Sequence, residues 1–192
     1  MSTRLKSKEM SDEDLVKGIV ANNDTLLFEI LYDRYSKVVY NKCLGFSKSG
    51  QEAEDLTQDV FLKLFVKLSS FKGKSKFSTW LYAFTYNHCV NYVNRNTAKK
   101  IEKKSVEADN LKDSYLEEDD EDIKSLRVEK LKLALEKISP EEKMILLLKY
   151  QDFLSIKELE GMLDIGESAV KMRLKRAKEK LINVYESVEY EG

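Results

Sequence analysis

The 192-residue chain offers little for bond-making chemistry. Its one histidine, His88, and two cysteines far apart in sequence, Cys43 and Cys89, fall short of a four-ligand zinc set. Cys89 follows His88 directly, which on a helix points the two side chains to different faces, and no nucleophile–base triad is suggested. No Gly-rich phosphate loop is present, and carboxylate pairs occur only in charged, surface-like runs. The expectation is a protein without catalysis, cofactor or metal of its own. The informative side chains are cations near the C-terminus. Ser168, Lys171, Met172, Lys175 and Lys178 share one helical face, opposite Val170, Leu174, Ala177 and Leu181, which recur at i, i+4, i+7 and i+11. A face of this kind suits the DNA major groove: cations meet phosphates or guanine, and a Met side chain meets a thymine methyl. The amides of a helix starting at Ser155 could hold a phosphate. The alternative is an ordinary helical hairpin with a solvated basic face.

The formal net charge of −1 conceals an uneven arrangement. Residues 71–104 hold eight Lys/Arg and one Glu, a balance of +7. Residues 105–122 hold nine Asp/Glu and one Lys, or −8, and residues 171–180 hold six Lys/Arg and one Glu, or +5. Two basic blocks flanking an acidic one point to a polyanionic partner. The longest apolar run, Met144–Leu148, is too short to cross a bilayer, and the N-terminus lacks a signal-peptide pattern. A cytoplasmic protein without membrane insertion of its own is expected.

Seven Gly and one Pro in 192 residues, with almost no hairpin dipeptides, predict an all-α chain. Ser11 starts a helix to about Ala21, and a second runs from about Asp24 to Leu44 with Leu27, Ile30, Leu31, Val38 and Val39 as its apolar stripe. Ser49-Gly50-Gln51-Glu52 has capping-box spacing for a third helix to about Leu68. A basic loop leads to a fourth, from near Ser78 to about Asn96. Residues 98–122 lack helical period and read as a flexible acidic linker. A second unit begins near Ile123, with Leu126, Leu131, Leu135 and Ile138 on one face. Ser139-Pro140-Glu141-Glu142 opens a helix to about Tyr150. Ser155–Glu158 caps a short helix to Leu163, Asp164-Ile165-Gly166 turns, and a last helix spans about Glu167 to Val188. Short helix, tight turn and longer basic helix form a helix-turn-helix pattern. The divisions expected are 1–97, a linker over 98–122, and 123–192.

EAEDLTQDVFLKLF (52–65) followed by FKGKSKFSTWLYAFTYNHCVNYVNR (71–95) resembles region 2 of bacterial sigma factors. ISPEEKMILLLKYQDFLSIKELEGMLDIGESAVKMRLKRAKEKL (138–181) resembles their region 4, and the short linker resembles the extracytoplasmic-function (ECF) group. The resemblance implies a region 2 helical bundle and a region 4 helix-turn-helix. It implies that Asp55, Gln58 and Asp59, at i, i+3 and i+4, dock on the β′ clamp coiled coil of core RNA polymerase, and that the β flap is a further partner. The solvated outer face of a helix is the plainer reading of these residues. Phe61, Leu62 and Phe65 are expected mainly in the core. The resemblance also implies that Lys72, Lys74, Ser75, Lys76, Phe77, Asn87, Asn91 and Arg95 read the −10 element as single-stranded DNA. Gly73 would permit close approach. Trp80 is expected in the core, while Tyr82 and Tyr86 stay open between packing and base stacking. Ser155, Ser168, Lys171, Met172, Lys175 and Arg176 would meet the −35 duplex.

The sequence departs from similar proteins at Asp164, where Gly is usual, and at Gly166, where a Ser cap is usual. Asn94-Arg95-Asn96 replaces an Arg-rich helix end. The acidic linker has three readings: a nucleic-acid mimic in the polymerase cleft, a soluble tether, or a segment folding back on the basic domains. The function expected is a transcription initiation factor that binds core polymerase and promoter DNA, with an anti-sigma factor as regulator. The rivals are a stand-alone helix-turn-helix regulator and a helical protein that binds other proteins.

Overall fold

The structure is a computed structural model that describes residues 9–101 and 128–188. Every described element is helical. Helix α1 (Asp12–Asn22) starts at Ser11, whose Oγ accepts from the Asp14 amide at 3.1 Å, and three acids occupy its first turn. It stops at Asn23, which takes the left-handed conformation that Asn tolerates. Helix α2 (Thr25–Leu44) is capped by Asp24, which accepts from the amides of Leu26 and Leu27. A Cβ on Gly18 would lie 2.6 Å from the end of the Leu27 side chain, so α1 and α2 pack closely there and a larger residue would push Leu27 aside. Helix α3 (Gly50–Lys67) is capped by Ser49 and closes with a 3₁₀ turn over Leu68–Ser70. Helix α4 (Phe77–Ile101) runs beyond its expected end at Asn96. Thr97 Oγ1 donates back to Val93 O.

The first core gathers Leu15, Leu31, Val39, Val60, Leu64, Phe77 and Leu81 from all four helices. Val38, expected within the α2 stripe, lies at the surface while its neighbour Val39 is buried. Arg34 and Tyr35 pin the start of α1 through Asp12 at 2.6 and 2.5 Å. Burial and the Asp12 carboxylate together raise the Tyr35 hydroxyl well above the ordinary tyrosine range.

Helix α5 (Val128–Lys137) opens the second unit; the expected start near Ile123, Leu126 and most of the expected linker lie outside the described residues. Helix α6 (Pro140–Leu146) has the predicted capping box: Ser139 Oγ accepts from the Glu142 amide, and Glu142 accepts from the Ser139 amide. The single helix expected to about Tyr150 is instead an α-helix that widens into a π turn over Leu147–Gln151. The Asp152 amide there donates to Leu147 O, and the wider turn carries Asp152 inward to the domain junction. Phe153 then takes a left-handed φ of +57° with its ring 83% exposed. Helix α7 (Ile156–Leu163), the Asp164–Gly166 turn and helix α8 (Glu167–Ser187) complete the unit. Its core includes Ala134, Ile145, Leu148, Leu159, Val170, Ala177 and Leu181. Tyr86 and Val90 of α4 belong to this second core, and Phe46 packs against both, so the two domains share an apolar seam.

Candidate nucleic-acid interface

Helix α3 places Asp55, Gln58 and Asp59 together on its solvent face while Ala53, Leu56, Val60 and Leu64 turn inward. Phe61 is buried and Phe65 half-buried, as expected, but Leu62 is not in the core: it is 69% exposed. Leu62 lies seven residues after Asp55, two helical turns along the same face, and Val66, 75% exposed, continues the stripe. The acidic face therefore runs into an apolar one, a continuation that the sequence reading missed although the spacing carried it.

The loop between Ser70 and Phe77 turns at Gly73, whose φ of +66° favours glycine. Lys72, Lys74 and Lys76 are exposed and Ser75 is half-buried. Lys72 Nζ donates to Ser69 O at 3.1 Å, which leaves most of its charge to solvent. The end of the loop is fixed from a distance, because the Phe77 amide, at the start of α4, donates to the Glu13 carboxylate of α1 at 3.1 Å. Phe77 itself is 1% exposed and packs edge-on to Tyr35 and Phe71, so it shapes the loop from beneath and presents no surface to a strand. Its place as first helical residue, with i+4 partner Leu81 also buried, explains the inward turn.

Asn87, Asn91 and Arg95 are exposed at i, i+4 and i+8 along α4, continuing from the loop. Trp80, expected in the core, is only half-buried: it stacks on Phe84 at 5.5 Å and 27° and lines the cleft beside the loop. The question left open for the two tyrosines resolves toward packing. Tyr82 and Tyr86 turn away from the cleft to enclose the Lys42 ammonium, 4.2 and 4.7 Å from their ring centroids. The cysteines meet in the core, Sγ to Sγ 3.9 Å. His88 is half-buried beside Lys63 and Asp59, and desolvation holds its pKa below the ordinary value.

In the second unit, Ser168, Lys171, Met172 and Arg176 are exposed on α8, with Val170, Leu174, Ala177 and Leu181 buried beneath. Lys171 Nζ sits 2.5 Å from Glu167, and this hydrogen bond raises the lysine pKa and lowers the glutamate's. Lys175 is half-buried and reaches Glu179 at 4.0 Å. Lys178, expected on the basic face, is buried: it follows Ala177 at the edge of the stripe, where its stem covers apolar surface. Asp164 supplies the left-handed residue of the turn at φ +52°, and Gly166 caps α8 without a side-chain bond.

Ser155 differs from its expected role. Its capping box with Glu158 already satisfies amides at the start of α7, and the Glu158 carboxylate accepts from both the Ser155 amide and Oγ, at 2.9 and 2.7 Å. The Glu158 carboxylate thus stands beside the helix start proposed for a phosphate. Those bonds hold Glu158 below the usual carboxylate range. Ser155 also faces the other domain, lining with Glu158 and Met162 the cleft of about 550 Å³ whose opposite wall includes Lys72, Lys74 and Trp80.

Two family models match, Sigma-70 region 2 over residues 31–99 and Sigma-70 region 4 over residues 129–181, and together they cover more than half of the chain. The chain is 28% identical over 187 residues to the ECF RNA polymerase sigma factor SigW of Bacillus subtilis, covering 93% of this chain and 92% of that one. It is 27% identical over 186 residues to the ECF RNA polymerase sigma-E factor of Escherichia coli K12, covering 92% and 95%. Among solved structures, the fold is similar to the sigma factor RpoE in complex with the anti-sigma factor NepR from Bartonella quintana (TM-score 0.59, 18% identity, 84% of this chain and 98% of that one). It is also similar to CnrH in complex with the cytosolic domain of CnrY (TM-score 0.62, 17% identity, 93% and 99%). Two sigma-70 regions in the same chain, in order, over helices that expose basic faces, make it a member of the sigma-70 family of transcription initiation factors, in the ECF group.

Proposed function

We propose that residues 1–97 bind core polymerase and the −10 element, and that residues 123–192 bind the −35 element, with 98–122 as the tether. Asp55, Gln58 and Asp59, extended by Leu62 and Val66, form the docking face for the β′ clamp coiled coil, and the second domain meets the β flap. Lys72, Lys74, Ser75 and Lys76 track the backbone of a melted strand while Asn87, Asn91 and Arg95 reach its base edges. Phe77 supports that loop from below. Lys171, Met172, Arg176 and Ser168 face the −35 duplex, with Lys175 at the margin. The chain performs no catalysis of its own and works in the cytoplasm, where the polymerase supplies the chemistry. An anti-sigma factor regulates it, in keeping with the complexes in which its structural neighbours were solved.

The observation that supports this reading is the pair of separate exposed basic surfaces on one chain, each within its own sigma-70 match. A stand-alone regulator would bind its operator without help. The test is footprinting of promoter fragments by the chain with and without core polymerase. Protection of both elements only with core is expected; strong specific protection by the chain alone overturns the reading in favour of the regulator.

A further inference from the structure

The first turn of α1 carries three acids in a row, Asp12, Glu13 and Asp14, where the positive end of the helix favours negative charge. Their side chains nevertheless go to three different places. Asp12 accepts from Arg34 at 2.6 Å and from Tyr35 at 2.5 Å, both on α2. Asp14 serves the start of its own helix, accepting from Ser11 Oγ at 2.8 Å, and pairs with Lys17 at 3.4 Å. Glu13 crosses to another element: its Oε1 accepts from the Phe77 amide, 64 residues away in sequence, at 3.1 Å. Two helices thus converge on Phe77. Glu13 holds its backbone, while Tyr35, tied to Asp12, packs edge-on against its ring with centroids 5.7 Å apart.

Helix α4 needs that acceptor. Helices α1, α2, α3, α6 and α7 each begin behind a Ser or Asp whose side chain accepts from the helix. The residue before α4 is Lys76, whose ammonium has nothing to accept with, and the Ser75 hydroxyl donates to Lys76 O at 3.3 Å. The opening amide of a helix has no partner within the helix, and a partly buried one left unpaired is costly. The loop that ends at Phe77 also tends to spread. Gly73 loosens its apex, and Lys72, Lys74 and Lys76 put three like charges within five residues. A strand that binds a spread loop loses affinity to the ordering of that loop, so a fixed exit raises affinity in advance. Glu13 stands against the same loop: with Val16 and Val20 it lines a cavity of about 560 Å³ that Phe71, Lys72 and Gly73 also line.

We propose that Glu13 is a positioning residue for strand reading: from α1 it supplies the cap that α4 lacks, and thereby sets the exit of the 71–77 loop in the form that takes the −10 strand. The inference rests on the strand-reading assignment of that loop made above. Glu13 acts through Phe77 and the loop, not on the DNA. If it only complemented the dipole of α1, its loss would lower thermal stability slightly and leave strand binding unchanged.

The test compares Glu13→Ala, which removes the acceptor, with Glu13→Gln, which keeps one without the charge. Hydrogen exchange of the Phe77 amide in the free full chain reads the contact. Anisotropy of a labelled mixed-sequence single-stranded oligonucleotide of about 20 nucleotides on the assembled holoenzyme, with core polymerase alone as baseline, reads strand affinity. In Glu13→Ala the Phe77 amide should exchange about tenfold or more faster, and the strand should bind about fivefold or more weakly. Affinity for core should stay within about twofold of wild type, with far-UV circular dichroism unchanged. Glu13→Gln should stay within about threefold of wild type on the strand. If Glu13→Ala loses its helices, Glu13→Leu replaces it, with the same expected directions. Lys72→Ala/Lys74→Ala removes loop cations, checks the strand-reading assignment, and should weaken strand binding by itself. With that control effective, unchanged Phe77 exchange, unchanged strand affinity, or an equal loss of core and strand affinity in Glu13→Ala overturns the positioning role alone. A control without effect overturns strand reading by the loop, and the positioning role with it.

Discussion

Removing two exposed cations from α8 tests the −35 surface quantitatively. Lys171 and Arg176 are both solvent-exposed, and neither supports the buried stripe of Val170, Leu174, Ala177 and Leu181. Lys171→Ala/Arg176→Ala should therefore leave folding stability within about 0.5 kcal/mol of wild type. Every phosphate that is no longer neutralised by a side chain makes the fall of log K with log salt shallower by about 0.9. Two such phosphates change the slope by about 1.8, so over a fourfold rise in salt, from about 50 to 200 mM, the advantage of wild type over the variant should shrink about twelvefold. The assay is anisotropy of a labelled duplex at four or five salt concentrations. Lys171 is held by Glu167 at 2.5 Å, so Glu167→Gln releases the cation, removes an anion from the same surface, and should tighten binding a few-fold. Parallel salt plots for wild type and the double variant, with Glu167→Gln without effect, would refute the assignment of α8 to the duplex.

Three further outcomes follow from particular residues. Leu62→Glu and Val66→Glu should weaken binding of the labelled chain to core polymerase at least about tenfold, since an apolar side chain buried on docking contributes about 1.5–3 kcal/mol; thermal unfolding should barely change because both are exposed. Phe153→Asn should raise the free energy of urea unfolding by about 1 kcal/mol, because Asn accepts the left-handed φ of +57° and little burial is given up. The Glu158 pKa is lowered by its bonds to Ser155, so its contribution is present above the unfolded value near 4.5 and disappears as pH falls through the lower folded value. The wild-type urea midpoint should thus fall more steeply between about pH 6 and 3 than that of Glu158→Gln, which keeps an acceptor but does not titrate.

Local signals made the helices legible. Ser11, Ser49, Ser139 and Ser155 all cap as their spacing implies, because a cap is decided within four residues. The buried stripe of α8 followed from period alone, and the sigma-70 resemblance lay in continuous motifs. Lys178 and Phe77 were misplaced for the same reason: each sits at the edge of a stripe, where a rotation of a few tens of degrees decides between core and solvent. Leu62 was misplaced by type, being apolar, although its seven-residue spacing from Asp55 put it on the exposed face. The contact of Lys42 with Asp152 left no trace in the sequence. It spans 110 residues, depends on a π turn and a left-handed Phe, and joins a lysine and an aspartate of the kind usually found in water.

The central claim, that this chain lends promoter selectivity to RNA polymerase, is tested most directly by transcription in vitro from a library of promoter fragments, with purified core polymerase and with or without the chain. The account predicts a discrete set of transcripts that appear only when the chain is added and share a −35 and a −10 element; the absence of any chain-dependent, promoter-specific transcript would contradict it.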